Sequence, residues 1–209
     1  MANLIPNPGF EEDPIRNEEG GFWRLRIWGT GTVIPADPFI VETVDVYEGL
    51  RAMRVHVEQT GYLSFVVSQI LTPTLFVPNE TYQLRLAYKS DMPLTLGFQG
   101  SKGGTVNLDV SITLPASPNW TVSEWLTFTI PPEGCDYIQM VVFQTAQIGD
   151  YIVDAFELIS TVAPITHVVT LDSSPTGVAY TSPSGVAPFT VNVDDGASLA
   201  VQVPSEIEV

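Results

Sequence analysis

The sequence predicts an all-β chain, a jelly-roll β-sandwich followed by a small β-rich domain. Three observations carry this. Apolar residues recur at every second position, helical periodicity is hard to find, and turn residues fall between the apolar runs. Period two marks strands with one face in a core and one face open. The 17 Pro and 16 Gly are spread along the 209 residues, as many short strands joined by turns require.

The strands follow in order. Trp23, Leu25 and Ile27 fall on one side, and Arg24, Arg26 and Trp28 on the other. Met53, Val55 and Val57 alternate with Arg54 and His56. Tyr82, Leu84, Leu86 and Tyr88 alternate with Gln83, Arg85 and Lys89. Leu126, Phe128 and Ile130 alternate with Thr127 and Thr129. The runs Phe65–Val67, Met140–Phe143 and Ile152–Ile159 read as further strands, the first two central. Turn chemistry sits at Asn79-Glu80, in the Gly100–Gly104 hairpin loop, and at Pro131-Pro132-Glu133-Gly134. About eight to ten strands before residue 160 predict a sandwich or jelly roll.

Residues 1–160 are read as the main domain, 161–166 as a short linker containing Pro164, and 167–209 as a second β unit. The second unit reads as four or five strands, too small for a thick core of its own. It is expected to lean on the first domain or on a partner subunit.

Composition narrows the function. Hydrophobic residues make up 44% of the chain and charged residues 15%, enough apolar material for a core. The formal charge of −16 repels phosphate backbones, so no nucleic-acid partner is expected. It also disfavours anionic membranes, and no apolar run is long enough for membrane insertion. The single Cys135 allows no intrachain disulfide and no Cys-based zinc site; it reads as a small packed side chain near a turn. No signal peptide is read at Met1–Pro6. Either a leader has been removed or the protein reaches the outside as part of something else, such as a virus particle released by lysis; an extracellular or virion-surface location is expected.

Five segments in order resemble the carbohydrate-binding modules of the CBM4/9/22 type. They are Asn3 to Glu11, Tyr47 to Val55, Ser68-Gln69-Ile70 with Thr81-Tyr82-Gln83-Leu84, Trp125 with Phe128-Thr129-Ile130-Pro131, and Tyr151 to Leu158. The resemblance covers about residues 3–159. It implies a jelly roll whose first and last strands lie side by side. It also implies a structural Ca²⁺ that clips the chain ends to the sheet, with Glu11, Asp154 and carbonyls near Gly9 and Gly49 as ligands. Hard oxygen donors suit that ion. Ala155 stands where a second acidic residue is common in the family.

In the resembled family the concave face of one sheet binds sugar. Aromatic rings pack on pyranose C–H groups while amides and carboxylates bond the hydroxyls. Trp28, Tyr62, Gln69, Gln99 and Trp120 are the candidate ligand-binding residues. Trp23, Tyr82 and Trp125 are read as core. Ser173–Val178 with Ala187–Val191 resembles the small PEGA-type β domain of surface proteins, which implies a spacer or docking element.

No phosphate loop, dinucleotide fingerprint, zinc-protease motif or nucleophile elbow is present. His56 and His167 lie far apart in sequence, so no Ser-His-Asp triad is read. Glu42, Glu58 and Asp109 are conceivable glycosidase carboxylates, but nothing marks them out, and no enzyme activity is expected. The expected function is a non-catalytic glycan-binding or adhesion module displayed on a surface or larger assembly. The alternative is a structural protein of a virion, as capsid decoration or appendage, or of a cell-surface assembly, with partners met through the C-terminal unit.

Overall fold

A computed structural model describes residues 3–13, 15–16, 21–30, 38–57, 62–145, 147–161, 166–171, 179–181, 184–186 and 189–194. The chain divides into a unit at 1–162 and a unit at 163–209. The first holds eleven described strands: β1 Trp23–Thr30, β2 Phe39–Glu42, β3 Ala52–Val57, β4 Tyr62–Leu71, β5 Thr81–Ser90, β6 Leu94–Lys102, β7 Thr105–Leu114, β8 Ser117–Val122, β9 Leu126–Thr129, β10 Tyr137–Thr145 and β11 Gly149–Ser160. A single 3₁₀ turn, Pro73–Leu75, is the one helical segment among the described residues.

The strands form two antiparallel sheets. One has five strands in the order β1-β4-β10-β6-β7. The other has six, in the order β2-β3-β11-β5-β8 with β9 also paired to β5. The hairpins β2-β3 and β6-β7 stay within one sheet, but both sheets also join strands far apart in the chain, so each face is assembled from distant segments.

Alternation selects the core. Trp23, Val67, Met140, Val142, Leu96 and Phe98 come from the first sheet; Met53, Val55, Leu84, Leu86, Tyr151 and Val153 come from the second. Aromatic pairs join the layers: Phe98 and Phe128 stack with centroids 3.9 Å apart. Trp23 lies between Phe10 at 4.4 Å and Phe156 at 4.8 Å. The buried indole N–H of Trp23 donates to the Asn7 carbonyl at 2.9 Å, so this donor is not stranded by its burial.

The N-terminal segment runs along the end of β11. Leu4 N donates to the Leu158 carbonyl and Phe156 N to the Pro8 carbonyl, at 2.9 and 3.2 Å. Near this contact β11 carries a bulge. Asp154 pairs with Ala87 and Glu157 with Arg85, leaving one extra residue on β11, and Ala155 takes a φ of +46°. The extra residue keeps Phe156 in the core while Asp154 and Glu157 both face outward.

In the second unit β12, Thr166–Leu171, pairs antiparallel with β15, Phe189–Asp194. Between them β13, Ala179–Thr181, pairs with β14, Ser184–Val186. Ser173–Val178, from the PEGA-like resemblance, lies outside the described residues.

Candidate binding faces and the paired carboxylates

Glu11 and Asp154 are brought together on the outer side of the six-stranded sheet. Asp154 Oδ2 accepts from the N–H groups of Tyr47 and Glu48 at 3.0 and 3.1 Å, and Oδ1 accepts from Ala155 N at 2.7 Å. Glu11 Oε1 accepts from Leu50 N at 2.8 Å and Arg51 N at 3.1 Å. Gly49, at φ +67°, turns the chain between these two pairs of donors. Three of the four non-Gly residues with positive φ among the described residues, Asn7, Phe10 and Ala155, flank the same place. Such conformations cost about 1–3 kcal/mol each and persist only where the surroundings hold them.

Asp154 is fully buried. Burial pushes its carboxyl up to about 6, against the three backbone donors that lower it, and Glu48 raises it further. A cation here would relieve that desolvated charge. A Cβ on Gly9 would fall 3.3 Å from Asp154 Oδ1 and 3.9 Å from Glu11 Oε1, so both carboxylates border the space over one glycine. Among the described residues no group of three or more His, Cys, Asp or Glu is arranged around a metal. Further ligands would therefore be backbone carbonyls. Carboxylates plus carbonyls are the hard donor set that Ca²⁺ takes, so the residues fit the ion.

The outer face of the five-stranded sheet carries a polar relay across three strands. Tyr137 OH donates to Gln139 Oε1 at 2.8 Å, Gln139 Nε2 to Gln99 Oε1 at 2.8 Å, and Gln99 Nε2 to Asp109 Oδ1 at 3.1 Å. Register explains it: Gln139 lies opposite Gln99, and Gln99 opposite Asp109. Beside the relay, Arg24, Ser68, Val141, Gly97 and Ser111 lie opposite one another strand by strand. Val66 and Val141 are buried on this face yet stand outside the core cluster. The Nε of Arg24 is buried without a hydrogen-bond partner.

Gln69 is not part of this face. It lies opposite Trp23 and Met140, on the core side. It is 1% exposed and donates to the Pro6 carbonyl at 2.9 Å. The expectation that Gln69 and Gln99 share a cleft is thereby corrected: neighbouring residues Phe98 and Gln99 point to opposite sides, and Gln69 follows Phe98. Trp28 lies opposite Ser64 and Tyr62 opposite Thr30 in the backbone pairing of β1 and β4; their side chains lie outside the described residues.

Trp120 stands on the other sheet. Its indole N–H donates to Asp45 Oδ1 at 2.9 Å and its ring centroid is 5.7 Å from that of Tyr47. Trp125 is half-buried rather than core, with the Arg85 guanidinium 4.1 Å over its ring. Trp23 and Tyr82 are core residues, each 1% exposed or less. Of the conceivable carboxylates, Glu42 is on β2 and Asp109 on β7, in different sheets, while Glu58 lies outside the described residues. Glu42 is held well below the usual range, at about 2, chiefly by the Val44 N–H and also by Arg54. Burial raises the half-buried Cys135 thiol. No helix among the described residues is long and apolar enough to cross a membrane.

Two antiparallel sheets in this order define a jelly-roll β-sandwich, the fold that carbohydrate-binding modules of families 22 and 61 share. The particular structures make the likeness concrete. A family 61 module, TmCBM61, solved with β-1,4-galactotriose, superposes with a TM-score of 0.51 at 18% identity, over 77% of this chain and 99% of that one. The CBM22-1 xylan-binding domain from Paenibacillus barcinonensis gives 0.50 at 15% identity, over 74% and 92%. The enzymatically active domain of bacteriophage CBA120 tailspike protein 4 gives 0.59 at 15% identity. That match covers 76% of this chain, which spans only 21% of the tailspike chain. No protein-family model matches the sequence, and no curated protein matches it.

Proposed function

We propose that the first unit is a non-catalytic glycan-binding module whose saccharide lies on the outer face of the five-stranded sheet. The relay Tyr137–Gln139–Gln99–Asp109 is the observation that carries this reading. Each amide is fixed by its neighbour, so its remaining donor and acceptor positions are oriented before ligand arrives. Preorganised polar groups beside a buried, smooth floor at Gly97 and Val141 suit a ring that offers hydroxyls at its edge and C–H groups on its face.

Neutral β-1,4-linked polysaccharides are the first class to test, since similar folds were solved with galactotriose or described as xylan-binding. Affinity electrophoresis through gels containing soluble xylan or galactan, followed by a glycan array, tests the reading. Retardation by one polymer is expected; free migration through every polymer and an empty array overturn it.

The proposal includes a structural Ca²⁺ held by Glu11, Asp154 and carbonyls at Gly9 and Gly49. It would neutralise the buried carboxylate and fasten the N-terminal segment and the 47–51 loop to β11. It also includes an extracellular or virion-surface setting. The tailspike likeness favours a second reading, in which the sandwich is a rigid block of a virion appendage and the 163–209 unit docks it to other subunits. Electron microscopy of the purified chain separates the two: a regular oligomer supports the block, monodisperse single sandwiches the free module.

A further inference from the structure

We infer a second saccharide-binding site on the opposite side of the first unit, on the outer face of the six-stranded sheet. A cleft of about 490 Å³ lies there, bordered by Tyr47, Glu48, Arg85, Ala87, Val122 and Glu157. That volume falls in the range of small-molecule sites. It shares no residue with the Gln99 relay, so it stands independently of the function proposed above.

Three features give the cleft its chemistry. Tyr47 offers an aromatic face that is 44% exposed, beside the Trp120 ring at 5.7 Å. Its loop is pinned, because Asp154 Oδ2 accepts the N–H groups of Tyr47 and Glu48. Asp154 is thus a positioning residue for this aromatic face. Arg85 is equally fixed. It lies over Trp125 and places both Nε and Nη2 on Glu157 Oε2, at 2.7 and 2.6 Å. Its Nη1 and the Oε1 of Glu157 carry no other partner among the described contacts. A rigid donor beside a rigid acceptor matches vicinal hydroxyls, which give and take hydrogen bonds at once.

Charge selects against other ligands. Arg85 and Glu157 cancel each other, Glu48 adds a negative charge, and the chain carries −16 overall. An anionic ligand is repelled, and a purely apolar one would strand the guanidinium. A neutral sugar satisfies both the ring and the ion pair. Two sites on opposite faces would let one module bridge two polysaccharide strands.

The test is a titration of the ¹⁵N-labelled full chain with β-1,4-galactotriose and with xylotriose, reading the indole N–H resonances of the four tryptophans. We expect saturable shifts of the Trp120 or Trp125 indole. They weaken at least ten-fold in Tyr47→Ala and in Val122→Arg, an exposed position where the new side chain fills the cleft. They persist in Gln99→Ala. Trp120 and Trp125 resonances that stay still with both sugars overturn the inference, whatever the other face binds. Shifts that survive both variants, or vanish in Gln99→Ala alone, overturn it as well.

Discussion

Glu11 and Asp154 accept from adjacent pairs of backbone N–H groups in one loop: Leu50 and Arg51 for the first, Tyr47 and Glu48 for the second. Gly49 is the pivot between the pairs. A Cβ there would meet Glu11 Oε1 at 2.1 Å. Gly49→Ala should therefore displace the carboxylate as well as force a side chain into a left-handed conformation. The conformational part alone costs about 1–2 kcal/mol. Gly103→Ala is the control, since Gly103 has a φ of +57° with nothing within 4 Å of its Cβ position. Thermal melts should show Gly49→Ala losing clearly more than Gly103→Ala. Equal losses would mean that the Glu11 contact contributes nothing.

The proposed ion gives a second expectation. Millimolar CaCl₂ should raise the melting temperature of chelator-treated protein, and EDTA should reverse it. A ligand at a hundred times its dissociation constant stabilises by about 2.7 kcal/mol. Asp154→Asn should abolish the shift. Identical melts with calcium and with EDTA remove the ion from the account.

The relay makes a third. Gln99→Ala and Gln139→Ala should each weaken polysaccharide retardation about ten-fold or more, with the melting temperature nearly unchanged, because both side chains are only half-buried. Gln69→Ala should do the reverse. It removes a buried amide that donates to Pro6, so it lowers stability, by about 1–3 kcal/mol, and spares affinity. Affinity gels and melts on the same three variants decide between these outcomes.

Acid should act through Glu42. Its carboxylate accepts from Val44 N at 2.9 Å, Thr43 N at 3.0 Å and Arg54 Nε at 2.8 Å, and its folded value is about 2 against an ordinary 4.5. A depressed carboxyl stabilises the fold above its unfolded value. That contribution is lost as pH falls from about 4.5 through about 2. Linkage bounds it at about 3 kcal/mol. Glu42→Gln should lower stability at neutral pH and flatten its loss between pH 4.5 and 2. Denaturant melts across that window check this; parallel curves for variant and parent would refute it.

Much of the fold was legible because side chains alternate. Trp23, Met53, Val55, Tyr82 and Leu84 face the core as period two requires, and the meeting of the Glu11 and Asp154 segments follows from the family resemblance. The run Phe65–Leu71 was not legible in this way. Its apolar residues fall on both parities, so local pattern cannot say which side Gln69 takes; pairing with Trp23 and Met140 does. Trp125 carried a usable signal: Leu126 and Phe128 face inward, so their odd-numbered neighbour must face out, where Arg85 covers it.

The sequence by itself determined an all-β chain, the inward set of most strands and the absence of any nucleotide-binding motif, because these depend on residue order and periodicity alone. Only the tertiary structure decided which residues share a surface. Gln99, Gln139 and Asp109 become one relay through the pairing of β6, β7 and β10, and Tyr47, Arg85 and Glu157 border one cleft. Strand order and register are set by the packing of the whole core, and no local stretch of sequence encodes them.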